Sequence, residues 1–310
     1  MKRLFVSQRQ WLIGAVSSVR ARSVLVALLI FVAHSSEAQR VEPTHGRDPS
    51  RGPHRAPDVL RVRPFITDDA RVVGDGLAQV EIWGRSDRES TQLWALGAMG
   101  PTPWLELTVG GVVGVERGEA AEEDPTPGHL TYALPLLQAK LLARPYVAGR
   151  GPGLALVAGT FLPGGRGFLK LPGYGTFGYA AMTQALAAGW QASSRTPDPP
   201  ILHVNVGVNR LWVGAGPDLT VATWGVGVQA PLAVLASATG RVAGPVPGLH
   251  VVAEVFSGDP YVPGSGTAWQ AGVRQFVSTR VQVDATAGRG FGGNQPIAPW
   301  WSAGVRIVFD

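Results

Sequence analysis

The stretch Leu202-His-Val-Asn-Val-Gly-Val-Asn209 decides the fold class, because apolar residues alternate in it with polar residues or glycine. Successive side chains of a β-strand point to opposite faces, so this period of two predicts a strand with one apolar and one polar face. The same alternation recurs in residues 79–85, 105–110, 269–274, 281–286 and 301–309. The chain is therefore predicted to be all-β.

Segments of this kind follow one another along most of the chain, which predicts about twelve strands. We place them at residues 77–85, 91–99, 104–115, 130–143, 153–162, 174–190, 201–211, 219–235, 248–257, 268–276, 280–288 and 300–309. An even number is typical of bacterial outer-membrane barrels, and it leaves both termini on the periplasmic side. The short joints at 100–103 and 277–279 are then periplasmic turns, and the joints at 116–124 and 163–168 are surface loops.

Alternation alone fits two architectures. In a soluble sandwich the apolar face packs on a second sheet, whereas in a transmembrane barrel it faces lipid and the polar face lines the lumen. The tryptophans near predicted strand ends favour the barrel, since tryptophan concentrates at membrane interfaces. They are Trp83, Trp94, Trp104, Trp190, Trp212, Trp269, Trp300 and Trp301. We expect a transmembrane antiparallel up-and-down β-barrel.

The first residues have the features of a secretory signal. Arg20 and Arg22 precede an apolar run over 23–33, and Ser36-Glu-Ala38 offers small residues at the positions that a signal peptidase reads. We predict a signal helix with cleavage after Ala38, so that residues 1–38 are the signal peptide. The alternative is a single membrane anchor, but the run is too short to span about 30 Å of hydrocarbon comfortably.

The positive charge of the chain is concentrated near its start. The formal net charge is +5, yet many basic residues precede Pro64, and the later part has no basic stripe. Nucleic-acid binding is therefore not expected. Residues 39–62 are rich in Arg, Pro and Gly and are predicted to be a disordered periplasmic tail, which leaves 63–310 for the barrel. The chain has no cysteine, so disulfides cannot stabilise it.

The stretch Arg63-Pro-Phe-Ile-Thr-Asp-Asp-Ala-Arg-Val-Val-Gly-Asp-Gly76, which runs into Gln79-Val-Glu81, resembles the opening of an outer-membrane family. That family is named after the meta-pathway of phenol degradation. Later similar pieces are Gln138-Ala-Lys140, Phe161-Leu-Pro-Gly164, Gly207-Val-Asn209, Ala253-Glu254, Gln270–Arg274 and Gln282-Val-Asp284. The final Asp310 departs from the usual aromatic end of a barrel protein.

The resemblance implies an outer-membrane channel or transporter for small aromatic or apolar solutes. The expected partners are outer-membrane lipid, lipopolysaccharide, the barrel-assembly machinery and a small-molecule solute, and no cofactor is expected.

Charged residues on the polar faces are predicted to line the lumen. They are Glu81, Arg85, Glu106, Lys140, Glu254, Arg274, Asp284 and Arg306. Opposed acids and bases in a pore select and steer solutes, so one reading is a channel lining. The other reading is a network of paired charges that fills a narrow lumen. In that case the barrel transports nothing and acts as a scaffold or as a surface-binding protein.

Enzymatic and metal-binding functions have weak sequence support. A barrel hydrolase needs a nucleophile activated by a histidine, and neither His203 nor His250 has a serine two residues away. The pair Asp68-Asp69 supplies too few oxygens for a cation, so Thr67-Asp68-Asp69 is predicted to cap the first strand. The acidic residues between Glu119 and Asp124 are predicted to form a solvated surface loop rather than an ion bridge to lipopolysaccharide.

Overall fold

The computed structural model describes residues 67–88, 90–116, 130–148, 150–167, 169–171, 173–186, 199–213, 218–234, 248–257, 266–291 and 298–310. The predicted signal peptide, the predicted tail and the acidic loop at 119–124 lie outside these residues. In the described part of the chain, no helix is both long enough and apolar enough to cross a membrane.

In these described residues, twelve antiparallel strands form one closed barrel. They are β1 (Ala78–Ser86), β2 (Ser90–Thr102), β3 (Leu105–Glu116), β4 (Leu130–Arg144), β5 (Gly153–Arg166), β6 (Gly173–Ala185), β7 (Ile201–Val213), β8 (Leu219–Pro231), β9 (Leu249–Ser257), β10 (Thr267–Phe276), β11 (Val281–Gly290) and β12 (Trp300–Phe309). Each strand pairs with its sequence neighbours, and β1 pairs with β12 from Ala78↔Phe309 to Ser86↔Trp301. The predicted up-and-down barrel is therefore confirmed.

The sandwich alternative is wrong, because the sheet closes on itself and leaves no second sheet to pack against. Most strand ends agree with the predicted ones within a few residues. The largest differences are at β6, which ends at Ala185 rather than at residue 190, at β5, which continues to Arg166, and at β8, which ends at Pro231 rather than at residue 235.

The outside of the barrel is apolar. Large apolar side chains that are more than a third exposed include Leu107, Val109, Leu137, Leu141, Leu156, Val206, Val208, Val226, Val228, Val255, Val273 and Val283. They alternate along the strands with buried polar residues, as in the pattern of β11, where Gln282, Asp284 and Thr286 are buried. A continuous apolar surface of this kind is unfavourable in water and is typical of a wall in contact with lipid.

Only some of the predicted interfacial tryptophans face outward. Trp104, Trp269 and Trp301 are each more than 40% exposed, as a membrane-interface position requires. In contrast, Trp94 and Trp300 are buried, and Trp83 stacks on Trp94 with ring centroids 5.7 Å apart. The prediction was wrong for Trp83, Trp94 and Trp300, which lie inside the barrel.

A lysine on the outer wall tests its contact with lipid. Val206 lies midway along β7, and Val206→Lys should lower the free energy of unfolding in lipid vesicles by about 2–4 kcal/mol. The matched change Leu154→Lys, at the second residue of β5, should cost only about 0–1 kcal/mol because a strand end lies near the headgroups. Urea titration measures both, and equal costs would contradict a lipid-facing wall.

Candidate functional site: the lumen and its plug

The segment before the first strand lies inside the barrel. Residues 67–73, which we call the plug, have Thr67, Asp68, Asp69, Ala70, Val72 and Val73 buried, with exposures of 3% or less. The partners of the plug lie on β3, β4, β6, β7 and β9, so it crosses the lumen. From the sequence, Thr67-Asp68-Asp69 was predicted to cap the first strand. That assignment was wrong, since β1 begins only at Ala78.

Backbone N–H groups of the plug donate to wall side chains rather than to another strand. The four bonds run from Thr67 N to Glu254 Oε2 (2.8 Å), from Asp68 N to Asn205 Oδ1 (2.6 Å), from Ala70 N to Thr183 Oγ1 (2.8 Å) and from Val73 N to Glu106 Oε2 (2.7 Å). A buried N–H group without a partner is costly, so these acceptors determine where the plug binds.

Asp68 makes the main charged contact between plug and wall. Its Oδ1 accepts a hydrogen bond from Lys140 Nζ at 2.9 Å, and its Oδ2 accepts one from Tyr179 OH at 3.0 Å. Asn205 Nδ2 also donates to the backbone oxygen of Asp68, at 3.1 Å. A buried carboxylate is tolerated only with such partners, which explains why a lysine faces the lumen at this level.

The second plug carboxylate is paired mostly within the plug. Asp69 Oδ2 accepts from Arg71 Nε at 3.1 Å and from Arg71 Nη2 at 2.9 Å, while Lys140 Nζ lies 3.8 Å from Asp69 Oδ1. Both aspartates therefore have cationic partners in the protein itself. Among the described residues, no group of three or more potential ligands could hold a metal ion.

Glycines make the course of the plug possible. The chain turns from the lumen into β1 at Gly74 and Gly76, whose φ angles of 110° and 67° are unfavourable for other residues. On the wall, a Cβ at Gly225 would lie 2.5 Å from Thr67 Oγ1, so a larger residue would displace the plug. The Gly-x-Gly before the first strand thus has a structural reason.

All eight predicted lumen residues lie on inward strand faces, and all but Arg85 are buried. Glu106, Lys140 and Glu254 bind the plug, as described above. Arg274 Nε donates to Asp284 Oδ1 at 2.7 Å, and Arg306 Nε lies 3.5 Å from Glu81 Oε1. Arg85 lies over the ring of Trp300, 4.5 Å from its centroid.

The lumen is divided along its length into a polar half and an apolar half. Charged pairs and the plug occupy the half nearer the start of β1, where Glu81, Glu106 and Lys140 point inward. Further along the same strand faces polar side chains such as Arg85, Ser90 and Asn209 also point inward, but many of the inward residues are apolar. They include Trp94, Leu96, Val112, Leu136, Phe177, Leu211, Phe256 and Trp300, each 8% exposed or less. This division was not predicted from the sequence.

The two histidines on the strands contact polar side chains inside the barrel. Thr183 Oγ1 accepts from Ala70 N and lies 3.0 Å from His203 Nδ1, so the hydroxyl links the histidine to the plug. His250 Nδ1 lies 3.0 Å from Gln229 Nε2, and Gln229 Oε1 accepts a hydrogen bond from Arg274 Nη1. Neither contact places a histidine against a serine hydroxyl, which is the arrangement that the hydrolase alternative requires.

The similarity of this chain to known proteins is a similarity of fold only. The chain matches no family model and no curated protein. Among solved structures it is similar to a COG4313 outer membrane channel from Pseudomonas putida F1, with 11% identity, 80% of this chain and 100% of that chain covered, and a TM-score of 0.48. The KdgM porin has 6% identity, 75% and 99% coverage and a TM-score of 0.46. Outer membrane phospholipase A from Escherichia coli has 10% identity, 77% and 94% coverage and a TM-score of 0.32.

A phenylalanine at position 179 tests the contact between plug and wall. Tyr179→Phe removes the hydroxyl that donates to Asp68 but keeps the ring, and it should lower the free energy of unfolding by about 1.5–3 kcal/mol. Tyr174→Phe, on the outer wall, should change it by less than about 0.5 kcal/mol. Urea unfolding in vesicles measures both, and equal losses would argue against the Asp68 contact.

Proposed function

We propose that this protein is an outer-membrane channel that passes small apolar or aromatic solutes, and that the plug controls its opening. The observation that carries the proposal is the apolar half of the lumen, where tryptophan, leucine and phenylalanine side chains point into the barrel. Pores for ions and polar solutes are lined by charged or polar groups that replace water. An apolar lining favours solutes that gain free energy by leaving water.

The polar half supports the proposed control. The plug is held there by hydrogen bonds and by the Lys140–Asp68 ion pair, not by strand pairing with the wall. None of these contacts is part of the strand pairing that closes the barrel, so release of the plug does not require the barrel to open. The paired charges beside it, such as Arg274 and Asp284, then order the wall when the plug is absent.

Several further assignments belong to this proposal. They are membership in the family that the opening motif resembles, an entry route across the lipopolysaccharide surface, insertion by the barrel-assembly machinery, and export through a cleaved signal peptide. The competing function is a non-transporting barrel with a lumen filled by paired charges, and the experiments below separate the two.

Uptake by cells tests the apolar route. Gram-negative cells that produce the chain should take up N-phenyl-1-naphthylamine faster than cells without it. Phe177→Gln replaces a ring of the apolar half by an amide, and it should slow the initial rate about fivefold if about 1 kcal/mol of aromatic contact is lost. Fluorescence of the membrane-inserted probe measures the rate.

The matched control for that variant is Phe291→Gln, which makes the same change at a residue that is 59% exposed, just after β11. It should leave uptake at the wild-type rate. Heat-dependent migration on gels confirms that each variant is folded. Uptake that is the same with and without the chain would refute transport and favour the non-transporting barrel.

Replacement of the plug tests the proposed control. A chain in which residues 67–73 are a seven-residue Gly/Ser segment should conduct ions in planar bilayers several-fold better than the wild type, because the segment that crosses the lumen has lost its contacts. The same replacement at residues 39–45 is the control and should leave conductance unchanged. Equal conductance in all three proteins would mean that paired wall charges, and not the plug, close the lumen.

A further inference from the structure

Two polar side chains deep in the lumen have no hydrogen-bond partner among the described residues. Thr108 on β3 and Gln138 on β4 lie opposite each other in register, and they are 7% and 5% exposed. Within the described residues, neither Thr108 Oγ1 nor either amide atom of Gln138 makes a hydrogen bond. Burial of such groups is costly, so an unpaired amide of this kind points to a bound molecule that supplies the missing partner.

The surroundings of this pair on one side are apolar. Leu136 is the next inward residue on β4 and is buried together with Leu96, Val157 and Phe177 in one cluster. Across β5, Gly159 is paired with both Gln138 and Phe177, and the Phe177 ring covers its Cα. The Phe177 ring therefore occupies the space that a side chain at position 159 would fill, next in register to Gln138.

The residues on the other side of the pair are polar, but they already bind the plug. Two residues further along the same strands, Glu106 faces Lys140 in register. Glu106 accepts from the backbone of Val73, and Lys140 donates to Asp68. Thr108 and Gln138 thus lie at the boundary between the apolar half of the lumen and the plug, without a free charge next to them.

We propose that Thr108 and Gln138 form the polar end of a binding site whose apolar part is the cluster of Leu96, Leu136, Val157 and Phe177. The ligand class is a small apolar or aromatic molecule that carries one uncharged hydroxyl group. This inference rests on the proposed function, since it names the solute that the apolar half accepts.

The chemistry of the pair determines the ligand class. A primary amide offers one acceptor oxygen and two N–H donors, and a hydroxyl group both donates and accepts, so a ligand hydroxyl satisfies both ends of the amide. A fully apolar molecule leaves the amide unpaired, which a buried site penalises. An ionised ligand loses its hydration without gaining a counter-charge, because Lys140 and Glu106 are bound to the plug.

Binding of a matched pair of probes to the purified full-length barrel tests the site. Isothermal titration in detergent micelles compares 1-naphthol with naphthalene, and titration into empty micelles corrects for partitioning. We expect the wild type to bind 1-naphthol about tenfold more tightly than naphthalene, as one buried hydrogen bond allows. Gln138→Met should reduce this ratio to below about twofold while naphthalene binding stays within about twofold of the wild type.

The control for Gln138→Met is Gln92→Met, a change of the same kind on β2. The Gln92 amide already has protein partners, since it donates to Ser90 Oγ at 2.9 Å and accepts from Trp94 Nε1 at 3.0 Å. Its loss should leave the ratio at the wild-type value. Thr108→Val is the second test variant, should Gln138→Met fail to fold, and it should also lower the ratio.

The outcomes separate this site from the proposed transport. A wild-type ratio near one, or a ratio that survives both Gln138→Met and Thr108→Val, overturns the site and leaves an ordered water as the partner of the amide. If the ratio depends on Gln138 but cells take up no N-phenyl-1-naphthylamine, the site stands and the transport proposal fails. If uptake occurs and the wild-type ratio is near one, the transport proposal stands without this site.

Discussion

Every other feature of this protein depends on the backbone pairing between β1 and β12. A hydrocarbon environment offers no hydrogen-bond partner to a free strand edge, so a sheet that spans it must close on itself. The pairing from Ala78↔Phe309 to Ser86↔Trp301 removes both edges and fixes the number of strands around the lumen. Closure also decides which residues meet inside, because it fixes the register of all twelve strands.

Closure at this circumference leaves an interior that the chain fills in two different ways. Near the start of β1, the wall presents carboxylate, amide and hydroxyl acceptors, and the plug supplies backbone N–H donors for them. Further along the barrel, aromatic and aliphatic side chains pack against one another, as Phe161 and Phe177 do with ring centroids 5.3 Å apart. The polar side chains thus bind a segment of the chain, and the apolar side chains pack against one another.

The strands of the wall were predictable, because alternation is a local signal. Alternation did not determine their closure, since it fits a soluble sandwich as well. The position of a residue in the alternation also indicates the face on which it lies. The tryptophans were assigned to the membrane interface from their nearness to strand ends instead. Trp83 shares its parity with Gln79 and Glu81, so it had to face inward with them. The plug could not be predicted from the sequence, because the contacts of Asp68 with Lys140 and Asn205 span 72 and 137 residues.

The eight charged residues were placed on the polar strand faces by the same parity, but their partners were not predictable. Arg274 and Asp284 are paired because β10 and β11 are neighbours in register, which a sequence of alternating residues does not specify. The same limit applies to Gln138, because the register with β3 and β5 determines which described side chains lie next to its amide. Side-chain partners across strands depend on register, and register is a property of the closed sheet.

The plug also has a mechanical consequence. Its contacts join β3 and β4 on one side of the barrel to β7 and β9 on another, so the segment acts as a crossbar that braces the cross-section from within. A hollow cylinder without such a brace flattens more easily under lateral pressure from the surrounding lipid. Release of the crossbar would therefore change the stiffness and the roundness of the whole cylinder, and not only the width of the passage that it vacates.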